Sequence, residues 1–265
     1  MQTVCVIFLY FISYSFIGWV CETIWCSVGS RHFVNRGFLN GPICPVYGFG
    51  ALIVLYLLSP FTENFFTLFL AGIVLTSTLE YVTGWLMEKL FHLKLWDYSQ
   101  RFCNINGRVC LRNSVLFGMM AVALVWGIHP FLAGLVDKFP PAAVYALSGA
   151  WAAVLFSDLA VTVHSALQLN GKLEELHEAM EELREKTEAG RMELQELVES
   201  KLEQQKARRE ELTASLAARK ERFEQMLGQS RPFQRRLIRA FPNMTWEKHP
   251  EVLERFQKAI AARKK

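Results

Sequence analysis

The stretch "NRGFLNGPICPVYGFG", residues 35–50, lies between two strongly apolar runs and holds Gly37, Gly41, Pro42, Pro45, Gly48 and Gly50. The apolar run that follows it, Val46 to Leu58, is 13 residues long. That is about 20 Å of helix against a hydrocarbon core about 30 Å thick. A crossing at this point needs part of the glycine- and proline-rich segment before it. At least "GPICPVYG" is therefore expected to enter a membrane as broken or kinked helix with its freed backbone groups facing protein or water. Non-helical backbone at that depth is tolerated only in such places, and it often lines a binding site.

Outward from this stretch, Val4 to Val28, Phe65 to Met87, Val115 to Val136 and Ala142 to Leu169 are long and apolar enough to cross a bilayer. With about Ile43 to Phe61 they make five expected spans and an all-α, polytopic membrane helix bundle. The first span is expected to remain in the mature protein. No Lys or Arg precedes the apolar run, Glu22 interrupts it, and no small-residue cleavage site follows.

Lys and Arg in short loops are retained on the cytoplasmic side. Arg31 and Arg36 lie in the first loop, and Lys89, Lys94, Arg101, Arg108 and Arg112 in the third; the second has none and the fourth only Lys138. The expected topology is an N-terminus outside and a cytoplasmic C-terminal tail, in a cell membrane.

Charge divides the chain further. Residues 1–170 carry 8 basic and 7 acidic side chains, residues 171–230 carry 11 and 15, and residues 231–265 carry 10 and 3. The net +4 thus covers a neutral bundle, an acidic segment and a basic tail. Residues 171–230 are nearly free of helix breakers, with Leu173, Leu176, Met180 and Leu183, then Leu212, Leu216, Arg219 and Phe223, at partial heptad spacing. Two short seams with a polar middle fit an extended coiled-coil-like rod or an antiparallel hairpin. Self-association through the rod, giving a homo-oligomer, is the expected use of the seams; a helix lying on itself is the alternative. In residues 231–265, Phe233, Leu237, Ile238 and Phe241 fall on one helix face and Arg235, Arg236 and Arg239 on the other. A basic amphipathic helix beside a membrane implies contact with anionic lipids. Nucleic acid is disfavoured, since no recognised binding motif accompanies the charge.

Ionisable groups within spans are costly and face a protein interior or a water-filled cavity. Glu22, Glu80 and Asp158 are the three here, about six, eight and eleven residues from the cytoplasmic ends of their spans. Gly18 and Glu22 share a helix face with Tyr14; Thr76, Glu80, Gly84 and Glu88 repeat every four residues; Asp158 aligns with Thr162 and Ser165. The arginines of the cytoplasmic loops are the nearest partners for these carboxylates. Either carboxylate–arginine pairs lock the helices, or they line a polar cavity open to the cytoplasm. In the latter case the lining would comprise Glu22, Asn35, Arg36, Glu80, Glu88, Asp97, Asn104, Asn106, Arg108 and Asp158.

The third loop is too aromatic for a plain linker. Phe91, Leu93, Leu95, Trp96, Tyr98 and Phe102 place it in the headgroup region or back on the bundle, and "NINGR" carries an Asn-Gly turn signal. No cofactor and no metal site is expected: HExxH is absent, Cys103 and Cys110 fit no common zinc spacing, and His129 and His164 fit hydrogen-bonding or interfacial roles. The six cysteines are expected as free thiols.

The segments "GWVCET" (18–23), "NRGFLNGPICPVYGFG", "EYVTGWLMEKLF" (80–91), "LWDYS" (95–99) and "NINGRVCLRNS" (104–114) resemble a bacterial family labelled as ABC-transporter type IV permeases. The resemblance covers most of residues 10–170. It implies transport driven by a separate ATPase subunit, and the chain has no GxxxxGK[ST] phosphate loop of its own. Five spans make a small permease, so a dimer or further subunits would be required. Two alternatives stay open. One is a lipid-handling protein or enzyme whose arginines hold a phosphorylated headgroup, with Glu22 or Glu80 moving protons. The other is a membrane-anchored scaffold or sensor that presents the helical tail.

Overall fold

Apolar residues on every face make the first helix, α1 (Gln2–Ser30), a membrane-type helix rather than an amphipathic one. The computed structural model describes residues 1–31, 33–198, 204–229 and 232–262. After α1 the chain runs without helix from Phe33 to Cys44, and Pro45, which has no N–H to satisfy, starts the short α2 (Pro45–Leu57). A 3₁₀ turn (Ser59–Phe61) leads to α3 (Phe65–Phe91), whose N-cap Asn64 accepts from the Phe66 amide at 2.8 Å. The third loop holds two-residue strands β1 (Leu93–Lys94), β2 (Asn104–Ile105) and β3 (Val109–Cys110). β2 and β3 form a hairpin across Asn106 and Gly107, both at positive φ (52° and 66°), as the Asn-Gly signal requires.

α4 (Leu111–Ala123) continues through a π-helical turn (Leu124–Ile128) into α5 (His129–Val136). Pro130 explains the turn, since it lacks the N–H that a regular ladder would need at that point. α6 (Pro141–Val198) is one helix of 58 residues. The change from apolar to charged composition near residue 170 lies in its middle, with no break in the backbone. α7 (Gln204–Gly228), α8 (Pro232–Ala240), β4 (Thr245–Trp246) and α9 (Pro250–Ala262) complete the tail.

Among the described residues, four helical stretches are long and apolar enough to cross a membrane, within Gln2–Gly29, Phe65–Phe91, Leu111–Val136 and Pro141–Met192; Pro45–Leu57 is apolar but too short. Four of the five expected spans thus have full-length helices. The second is a 13-residue helix preceded by irregular chain. Phe16, Phe66, Leu70, Val74, Phe131 and Phe156 stay exposed on the long helices, as residues facing lipid would.

The tail differs from an extended rod. α7 folds back on α6: Gly190 lies against Leu212 and Leu216, and Glu182 pairs with Arg219. The tail is an antiparallel hairpin that closes its seams within one chain, with residues 199–203 outside the described residues. The basic segment also differs from the expected lipid-facing helix. Leu237, Ile238 and Phe241 are buried in a core shared with Phe91, Leu93 and Leu95 of the third loop, Leu169, Leu173 and Leu176 of α6, and Phe223 and Leu227 of α7. Arg231 and residues 263–265 lie outside the described residues. β1 pairs antiparallel with β4, Leu93 opposite Trp246, so the third loop folds onto the tail and the bundle end together.

Candidate functional site

The irregular stretch from Phe33 to Cys44 leaves a row of backbone groups without helical partners, and side chains from three helices meet them. From α1, the Ser27 hydroxyl accepts from the Val34 amide (3.0 Å), the Thr23 hydroxyl from the Arg36 amide (3.4 Å), and the Ser15 carbonyl from the Cys44 amide (3.0 Å). From α6, the Asp158 carboxylate accepts from the amides of Asn40 (3.0 Å) and Gly41 (2.7 Å) and from the Asn40 side chain (3.0 Å). Thr162 joins the same cluster (3.1 Å to Asp158), whereas Ser165, half-buried, bonds its own helix at Val161. From α8, Arg236 donates to the carbonyls of Gly37 (3.0 Å) and Phe38 (2.6 Å). Burial pushes the Arg236 pKa down from its ordinary value, with Asp158 acting in the opposite sense. Within the stretch, Asn35 accepts from the Trp19 indole (2.6 Å) and donates to the Asn40 carbonyl (3.0 Å).

Where α2 begins, it lies close against α1. A Cβ on Gly18 would come 2.2 Å from Tyr47 Cγ, and one on Gly48 would come 2.2 Å from Ser15 Oγ. That approach lets the Tyr47 hydroxyl donate to Glu22 (2.6 Å). Arg36 stands 3.6 Å from the same carboxylate, its guanidinium donating to the Ala240 carbonyl and lying 4.6 Å from the Phe241 ring centre. Glu22, Asn35, Arg36 and Asp158 are thus brought together around one segment. Asp158 is met by backbone amides rather than by a loop arginine.

Glu80 is different. Tyr98 and Asn113 hydrogen-bond its carboxylate, yet its Oε2 is buried with no hydrogen-bond partner. Burial first, and then the Glu80 and Glu22 carboxylates, push the Tyr98 phenol well above its ordinary pKa. Asn113 also donates to the Tyr98 oxygen (2.7 Å).

The remaining predicted residues divide into a second cluster and two turn residues. Arg108 makes a two-pronged contact with Glu88 Oε2 (2.9 and 2.5 Å) and reaches Tyr81 (3.1 Å), to which Asn106 also donates (3.0 Å). Asp97 and Asn104 shape the loop. Asp97 accepts from the Ser99 amide and Lys94 (3.0 and 3.1 Å), and Asn104 donates to the Ser99 and Arg101 carbonyls. Against partial burial, the Ser99 and Lys94 bonds hold the Asp97 pKa below the ordinary carboxylate value. His129 is hydrogen-bonded to Tyr14 (2.7 Å).

Tyr47, Tyr98, Asn113, Asn40 and Tyr81 are polar members of these clusters that charge-based reading passed over. Tyr47 and Asn40 stand inside the opening stretch, so its composition alone contained the signal. Two concavities lie elsewhere. One is an apolar groove of about 680 Å³ beside Trp126 and Phe131, and the other, of about 560 Å³, lies between α6 and α9.

A helical bundle with four membrane-length helices, an irregular segment tied to three of its helices and carboxylates in its interior defines the class: a polytopic membrane protein. Residues 9–163, more than half of the chain, match the model of a family described as "Putative ABC-transporter type IV", and the chain belongs to that family. The match runs from α1 into α6 and ends before the tail. No curated protein and no solved structure matches the chain.

Proposed function

We propose that the chain is the membrane-spanning permease subunit of a transporter, with Glu80 on the path of the substrate or of a coupled proton. Family membership supports the transport class. The observation that carries the assignment of Glu80 is its buried Oε2, left without a hydrogen-bond partner although Asn113 and Tyr98 bond the same carboxylate. A buried carboxylate left partly open is costly to keep, and a ligand or proton that comes and goes gives it a role. In this reading α2 together with residues 35–44 completes a fifth crossing. The tail then lies in the cytoplasm with the N-terminus outside, and a second copy or a further subunit completes the pathway.

The family description supports a separate ATPase as the source of energy, and the chain has no phosphate loop of its own. The lipid-handling alternative needs arginines free to hold a phosphate; Arg36, Arg108 and Arg236 are each engaged with protein groups, which leaves Arg101 and Arg112 of the third loop for that role. The test is purification of the tagged chain from its native membranes in mild detergent, with the co-purifying proteins identified. The expected result is an ATPase subunit in fixed stoichiometry. Repeated recovery of the chain alone, or with copies of itself alone, overturns the permease reading.

A further inference from the structure

One face of α6 carries Asn170, Glu174 and His177, spaced four and three residues apart, and meets the chain around β4 rung by rung. The Trp246 indole donates to Asn170 (2.9 Å), and Lys248 pairs with Glu174. The third rung is of another kind. The His177 and His249 rings stack with centres 3.4 Å apart and planes at 16°, and His177 Nδ1 is buried with no hydrogen-bond partner. Glu251, in the first turn of α9, brings Oε1 to 3.7 Å from His249 Nδ1. One donor atom from each of the three residues lies within 4.8 Å of the others.

Two imidazoles and a carboxylate are a donor set suited to Zn²⁺ and related first-row divalent ions. A tetrahedral ion with bonds of about 2.0–2.1 Å holds its donors about 3.3 Å apart, so binding closes the widest gap by about 1.5 Å and turns the two stacked rings out of parallel, so that the in-plane lone pair of each meets the ion. Glu251 is more than half exposed, which gives an ion a way in and leaves room for a water as fourth ligand. An ion bound through His177 Nδ1 would also satisfy a buried ring nitrogen that has no hydrogen-bond partner among the described residues.

We propose that His177, His249 and Glu251 form a site for a Zn²⁺-class divalent cation that clamps the C-terminal segment to α6. The site is separate from the Glu80 region and does not depend on the transport reading. The ion would link residues 72 positions apart along the chain, closing the tail against the long helix as a structural staple does.

The test uses the full chain in detergent with any affinity tag removed, stripped with a chelator and titrated with Zn²⁺ by calorimetry, and with Co²⁺ as a spectroscopic probe. One Zn²⁺ per chain, a raised Tm on addition and a Co²⁺ spectrum of nitrogen and oxygen ligands are expected. His177→Ala and His249→Ala should lose the site. Glu251→Gln, a change at an exposed position that leaves the far-UV circular dichroism unaltered, should weaken binding at least about tenfold. Should His177→Ala fail to fold, the His249 and Glu251 variants decide. Absence of stoichiometric binding, unchanged binding by Glu251→Gln and His249→Ala, or a thiolate charge-transfer band placing the ion on cysteine would each overturn the proposal.

Discussion

Among the carboxylates in the membrane part, Asp158 and Glu80 have opposite surroundings. Asp158 accepts from two backbone amides and a side-chain amide, so it braces the non-helical stretch. Hydrogen bonds to a charged group are worth about 1.5–3 kcal/mol each, and Asp158→Ala should cost roughly 2–3 kcal/mol once water and neighbours adjust. A thermal melt of the purified chain in detergent should show a clear fall in Tm. Glu80→Gln, which removes a charge from a buried position with an unbonded oxygen, should leave Tm unchanged or raise it while abolishing transport. A large Tm loss for Glu80→Gln would mark it as a second brace. The acidic positions were legible because charge within an apolar run stands out. Their partners were less legible: of the three carboxylates expected to meet loop arginines, Glu22 pairs with Arg36, whereas Arg108 pairs with Glu88 instead. Backbone amides carry no letter of their own in a sequence, so the partner of Asp158 had no such signal.

The contact of α1 with α2 depends on two glycines where the helices come closest, and their neighbours decide what a substitution does. At Gly48 an added Cβ meets Ser15 and Phe11 at 2.2–2.7 Å, whereas at Gly50 nothing lies within 4 Å. Gly48→Ala should therefore destabilise by about 1–3 kcal/mol through overpacking. Gly50→Ala, two residues away in the same helix, should be neutral or stabilise by up to about 1 kcal/mol by restricting the unfolded chain. Paired thermal melts check the opposite signs; equal losses would show that the close approach is wrong. Element lengths were legible from the hydrocarbon thickness, and so was the break before α2, because 13 apolar residues fall short of it. The folding of α7 onto α6 was not, since two short seams around a polar middle satisfy a rod and a hairpin equally well.

The whole molecule joins bundle and tail through the same irregular stretch. Residues 35–44 are held from below by α1, from one side by Asp158 of α6, and from the other by Arg236 and the Ala240 carbonyl of α8. The tail core also takes in the third loop through the pairing of β1 with β4. This long-range assembly left little trace in the sequence. Two-residue strands have no periodicity to read, and the apolar face of α8 suits a protein core as well as it suits a lipid surface. The glycines and prolines of the stretch did announce non-helical backbone, and the structure shows those groups meeting protein. This stretch is a braced wall rather than a loose connector. Amide hydrogen exchange on the full chain in detergent tests it most directly, read at Asn40, Gly41 and Cys44. Protection comparable to that of the flanking helices is predicted. In Asp158→Ala, exchange at Asn40 and Gly41 should accelerate by about tenfold or more, with a smaller rise in Arg236→Ala and none in Glu80→Gln. Rapid exchange of these amides in the unaltered chain, or no change in Asp158→Ala, would contradict the account.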